Sequence, residues 1–279
     1  MKVVVTMLIS IIGAVMPLVA APAGSDAMVV RSSFPFHRVG EELQYTLKWG
    51  PFEVGSGVLR ILPIREVDGE ACFHLSLEVR TSGFADSIYK VRSRFDSFVS
   101  VQYLRPVRYQ LNQREGKTRR KATVTFDWQS MTASYQREGE ETKEPVEIEA
   151  GTWDPLSVVF FFRQIVSAEP GVVTLPATDG KKSLLIDVGQ EGLVSFEGAM
   201  GKREAIKVEP NTKELRGVFQ KSKDSNILMW FSADEQRVPL RIQSKVVVGS
   251  FYAELQSVQR VDRATSEIPQ DGERQDANP

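Results

Sequence analysis

The chain has 279 residues, a formal net charge of −1, 42% hydrophobic residues and 15 Phe, enough to bury a substantial core in one large domain or two closely packed lobes. Balanced charge removes any overall pull toward nucleic acid or anionic lipid. A single cysteine and two histidines exclude an internal disulfide and leave no Cys pair or His spacing of the kind that holds zinc.

The first element is an export signal. Met1-Lys2 precedes an almost unbroken apolar run from Val3 to Val19, and Ala21-Pro22-Ala23 supplies small residues for cleavage after Ala23, with Ala27 as the second choice. One positive charge, a short apolar stretch and an Ala-x-Ala ending form the three-part pattern of a secretory signal peptide. The run is short for a membrane span and contains Pro17. No cysteine stands at the cleavage point to carry acyl chains, so the expected product is unanchored and periplasmic. Residues 24–33 read as a linker.

From Phe34 to about residue 260 the dominant signal is period two, the pattern of half-buried strands. Leu43, Tyr45, Leu47 and Trp49 alternate with Glu42, Gln44, Thr46 and Lys48 before Gly50-Pro51 breaks the strand. Val58 to Leu62 follows, then Phe73 to Thr81, ended by Ser82-Gly83. In that third strand Phe73, Leu75, Leu77 and Val79 alternate with Cys72, His74, Ser76 and Glu78, which puts Cys72 on the less apolar face. Tyr89 to Phe95 and Val107 to Leu111 come next, and Glu115-Gly116-Lys117 reads as a hairpin turn before Ala122 to Phe126 and Met131 to Tyr135. Short strands at this spacing indicate an antiparallel sheet rather than βαβ units.

One helix is expected, starting at Asp154-Pro155. Asp154 can accept hydrogen bonds from unpaired backbone amides, and proline suits the first helical position. Leu156, Val159, Phe160, Phe161, Phe162, Ile165 and Val166 cover too wide an arc for a solvent-facing helix. Strands then resume at Val172 to Leu175, Leu184 to Val188, Ala205 to Glu209, Ile227 to Phe231, Leu240 to Val248 and Phe251 to Leu255. Residues 261–279 are polar, lack periodic apolar residues and read as a disordered tail.

Basic residues concentrate between Tyr89 and Lys121, where Asp96 and Glu115 are the acids. Lys90, Arg92, Arg94, Arg105 and Arg108 are the candidates for an anionic ligand such as a glycan. Six glutamates between Glu138 and Glu149 provide the competing account, charge pairing within the protein. Catalytic constellations are scarce. Cys72 and His74, two apart on one strand, lie about 7 Å apart along the chain, too far for direct proton transfer. Gly55-Ser56-Gly57 lacks the nucleophile-elbow spacing, and the glycines match neither phosphate-loop pattern. No catalytic residue, metal ligand or cofactor is assigned.

Phe36 to Tyr45, Lys48-Trp49-Gly50, Ser82-Gly83-Phe84 and Tyr89-Lys90-Val91-Arg92 resemble, in that order, the DUF3108 family of bacterial envelope proteins. The likeness continues through Leu104-Arg105-Pro106, Arg114 to Lys117, Asp154 to Ser157 and Pro239 to Ser250. The resemblance implies a shape similar to the LolA/LolB-like periplasmic factors: a curved antiparallel sheet or half-barrel packed around at least one buried helix, able to receive an acyl chain. It supplies no catalytic residues. Trp49, Phe160 and Phe162 are the candidates for an apolar groove. The expected function is non-enzymatic binding or envelope assembly with a lipid, an acylated protein or an anionic glycan as partner. The alternatives are a glycan-acting hydrolase or a structural scaffold with its sheet plugged.

Overall fold

The computed structural model describes residues 38–211, 227–246 and 249–261, and within them fourteen strands form one antiparallel sheet. The signal segment, the linker, His37 and the polar tail lie outside the described residues. β1 (Glu41–Trp49), β2 (Phe52–Val67), β3 (Glu70–Thr81), β4 (Arg92–Ser100), β5 (Pro106–Glu115), β6 (Thr118–Asp127), β7 (Thr132–Arg137) and β8 (Val146–Glu147) step outward from the middle as a meander. The chain then crosses to the opposite edge. There β9 (Gly171–Thr178), β10 (Ser183–Gly198), β11 (Gly201–Pro210), β12 (Ile227–Ser232), β13 (Pro239–Val246) and β14 (Gly249–Arg260) step back until β14 pairs with β1.

Side-chain alternation decides which surface of this sheet is the core. In β1, Leu43, Tyr45 and Leu47 are buried while Glu42, Gln44 and Thr46 are half-exposed. Register shifts at Gln44/Tyr45, Leu47/Lys48, Leu62/Arg65, Gln190/Gly192 and Trp230/Phe231 mark bulges, which bend a strand and increase its twist. The sheet is curved and open. β8 and β9 are its two edges, and no strand pair joins them. A single parallel bridge spans the gap: the Trp153 amide donates to the Pro176 carbonyl at 3.0 Å and the Thr178 amide to the Trp153 carbonyl at 2.9 Å.

There are two helices among the described residues. The expected one is α2 (Ser157–Ile165), and every residue from Ser157 to Arg163 on it is buried. The other, α1 (Gly83–Tyr89), differs from the expectation that Ser82-Gly83 simply ends one strand and Tyr89 begins the next. Only Ala85 of α1 is buried, and Phe84 and Ile88 are exposed. A seven-residue turn with its apolar side chains in solvent has no helical periodicity to read.

A further difference concerns Cys72. Its face of β3 is covered, because Val67, Cys72, Phe98 and Val107 form a small second core on the far side of the sheet. Cys72 has no exposed surface. Strand alternation misses this, since Cys72, His74 and Ser76 alternate with apolar residues as a solvent-facing row would, yet all three are buried.

Candidate functional site

α2 is tied to the sheet at both ends by polar groups in an apolar surround. At its start the Asp154 carboxylate accepts from the amides of Leu156 and Ser157 at 2.8 and 2.9 Å, and from the hydroxyls of Ser97 and Ser157 at 2.6 and 2.7 Å. Burial raises the pKa of Asp154, and these four hydrogen bonds oppose that rise. The Ser97 contact fixes the helix start to β4. At the far end Arg163 makes a two-point ion pair with Glu41 of β1, and its Nε and Nη2 also donate to the Gln236 carbonyl. A buried charge pair of this kind fixes position more than it adds stability.

Between these anchors lies a narrow slot with about 30 Å³ of free space, room for a water or two by volume. Tyr45 and Leu47 of β1, Gly57 and Leu59 of β2, and Leu77 and Val79 of β3 form much of its wall; Pro155, Leu156 and Val159 form the helix side. Gly57 keeps the slot open. It sits opposite Tyr45 in register, and a methyl group there would rest in ordinary contact with Leu47 and Tyr45 at 3.8 Å. Any longer side chain would extend into the free space.

The residues singled out in the sequence fall in other places. Phe160 and Phe162 are core, with Phe162 edge-on to Phe231 at 6.4 Å between ring centres, and neither lines the slot. Trp49 stacks on Phe251 at the end of β1. The slot instead takes Leu156 and Val159 from the helix, together with a glycine whose role depends on strands that meet only in three dimensions.

The basic candidates are largely engaged. Arg92 clasps Asp86 of α1 with bonds of 2.6 and 3.0 Å. The hydrogen bonds from Arg92, then that from Thr81, hold the Asp86 carboxyl down to about 2. Arg94 donates to both oxygens of Asp96 at 2.8 and 2.9 Å, and Arg108 pairs with Asp68 at 2.5 Å. Arg105 lies over the rings of Tyr103 and Trp128, 4.6 and 5.1 Å from their centres. Lys90, directly after α1, is exposed.

Cys72 and His74 do not form a reactive pair. The Cys72 thiol donates to the Glu70 carbonyl at 3.4 Å, and burial, helped by nearby acids, pushes its pKa up to about 11. His74 is stacked on Phe98 and bonded to Asp96 at 2.7 Å. Among the described residues no three His, Cys, Asp or Glu side chains gather as a metal site, and no helix is long and apolar enough to cross a membrane.

The family described as protein of unknown function DUF3108 matches residues 44–256. The chain belongs to the DUF3108 family. Among solved structures, this DUF3108 chain is similar to a β-barrel-like protein of the unknown-function domain DUF1849 from Brucella abortus, at 7% identity and a TM-score of 0.52, covering 80% of this chain and 98% of that one. That likeness shows the fold alone. A candidate exported protein with a YmcC-like fold from Bacteroides fragilis matches at 11% identity and a TM-score of 0.31, over 79% and 96% of the two chains. A candidate lipoprotein from Parabacteroides distasonis matches at 8% identity and 0.30, over 79% and 95%. No curated protein matches the DUF3108 chain.

Proposed function

We propose that this DUF3108 protein is an exported, non-catalytic binding factor of the bacterial envelope, which shelters the apolar end of an amphiphilic or acylated partner in the slot beside α2. The supporting observation is the slot itself: apolar side chains on both sides, a glycine in the wall, and a helix pinned across it. Apolar walls of this kind favour hydrocarbon over polar metabolites and need no reactive side chain; with about 30 Å³ free, the slot takes an acyl chain only as α2 moves away from the sheet. The two buried acids that touch the helix, Asp154 and Glu41, are occupied by Ser97, Ser157 and Arg163, which argues against a pair of working carboxylates there. A relation to the LolA/LolB-like carriers and a periplasmic address belong to the same proposal.

The test is native mass spectrometry of the protein purified from its own envelope, beside a Gly57→Leu variant that fills the slot. Wild type should carry an acyl-bearing species that the folded variant has lost. Recovery of bare wild-type protein, with Gly57→Leu only more stable, would sink the reading in favour of a plugged scaffold, the rival suggested by how little free space the slot contains.

A further inference from the structure

The β5–β6 hairpin carries a feature that stability alone does not explain. Arg114 and Arg119 are direct cross-strand partners, and the next rungs pair Gln113 with Arg120 and Asn112 with Lys121. Like charges placed directly opposite destabilise a strand pair. One strand over, Arg137 is the partner of Ala122. Together Arg114, Arg119, Arg120, Lys121 and Arg137 line a cleft of about 360 Å³ in which Glu138 is the one carboxylate.

Compensation within the protein is thin. Lys121 reaches Glu138 at 3.5 Å with both side chains mostly in solvent, a geometry worth little. Arg137 pairs with Glu140, which lies outside the cleft lining. Arg119 spends one nitrogen on the carbonyls of Gly116 and Thr118. The Nε of Arg120 has no hydrogen-bond partner, but its charge acts on the half-buried Asp179 on the other face of the sheet.

We propose that this cleft binds a phosphate-bearing anion. Residues paired across strands share a face, so Arg114, Arg119 and Lys121 lie with Asn112 on one face of the sheet, whereas the Arg120 and Arg137 side chains lie on the opposite face with the buried Gln113 and Ala122 and border the cleft from behind. Three cations on one face, two of them directly opposed, suit a group with three acceptor oxygens and a charge near −2 better than a singly charged carboxylate. The Asn112 amide adds a neutral donor on that face; the Gln113 amide is buried and donates to Glu115. A second polar cleft of about 450 Å³ shares Asn112, Lys121 and Glu138 and runs on past Gln110 and Thr123. It leaves room for the remainder of a headgroup or sugar. The inference stands apart from the slot and does not depend on it.

The test uses the purified full chain with two probes: inorganic phosphate by titration calorimetry, and vesicles of phosphatidylcholine with or without phosphatidylglycerol by co-sedimentation. Binding should be saturable, weaken as salt rises, and fall at least tenfold in an Arg114→Gln, Arg119→Gln, Lys121→Gln variant with an unchanged circular dichroism spectrum. Glu138→Gln, which removes the one acid in the lining, should tighten it, and Lys202→Gln, an exposed cation elsewhere, should leave it unchanged. Phosphate that binds and displaces the vesicles identifies the phosphate group itself as the ligand. Vesicle binding that phosphate does not displace identifies a lipid headgroup. Binding of neither probe, equal losses for Lys202→Gln and the triple variant, or no gain for Glu138→Gln would overturn the proposal.

Discussion

Arg163 of α2 and Glu41 at the head of β1 face each other with bonds of 2.5 and 3.0 Å, and their side chains are 1% and 6% exposed. Arg163→Met should therefore cost about 3 kcal/mol, because it leaves the buried Glu41 carboxylate with only the longer contact to Arg38 at 3.7 Å. Adding Glu41→Leu to that variant should restore about half of the loss or more. Urea denaturation of the two single variants and the double variant measures the cycle. Equal losses for all three would mean that the helix is held by packing alone.

Asp96 sets a limit on acid stability. Burial raises its pKa, but hydrogen bonds from His74 and Arg94 outweigh that and hold it at about 2. Its folded pKa thus lies below the unfolded value, so the protons taken up on unfolding make stability fall with pH through that window. The contribution, about 2 kcal/mol from a shift of this size, is present above about pH 4 and lost as pH falls toward 2. Asp96→Asn should flatten this part of a stability-against-pH curve measured by urea melts between pH 2 and 5.

The Cys72 thiol, with no exposed surface and its pKa pushed up to about 11, should be inert in the folded protein. Thiolate, the reactive form, is scarce at pH 8 for such a group. Ellman's reagent should release almost no colour from native protein and one equivalent in denaturant. Fast native labelling would show that the second core around Phe98 and Val107 opens readily.

Tyr109 and Tyr135 lie in one cross-strand row on either side of Val124, each almost fully buried, with hydroxyls that have no hydrogen-bond partner. Removing such an oxygen relieves a desolvation cost. Tyr109→Phe is expected to be neutral or to stabilise by up to about 1 kcal/mol, read as a rise in Tm. A loss above about 1 kcal/mol would point to a buried water joined to that oxygen.

Local chemistry was readable where a few neighbouring residues decide it. Asp154-Pro155 announces α2 because the capping carboxylate and the amides it serves are close in sequence, and Leu43, Tyr45 and Leu47 announce β1 because each buried side chain has a half-exposed neighbour. β10 is read only as Leu184 to Val188, yet it runs to Gly198, because Gly189-Gln190-Glu191-Gly192 looks like a turn and folds as a bulge. Gly192 sits there at φ +82°, where an added methyl would strike the Ala168 carbonyl at 2.7 Å. The slot has no local signature, since its walls come from strands far apart in the chain. The Arg114–Arg119 pairing needed the turn narrowed by one residue: Glu115-Gly116-Lys117 as a three-residue turn sets Arg114 opposite Thr118, whereas the turn is Gly116-Lys117, with Glu115 opposite Thr118 and Arg114 opposite Arg119.

The bridge from Trp153 to β9 also bears on how such a protein survives at high concentration. β8 and β9 present unpaired backbone that could recruit a neighbour's strand; two backbone bonds from Trp153, in the segment after β8 and stacked on Phe161 of the helix, join that segment to β9, beside the β9–β10 turn that rests on Val124 and Tyr135. Loosening that contact would do more than soften one corner of the fold. It would turn one molecule's seam into two adhesive borders, so self-association under mild stress should begin there.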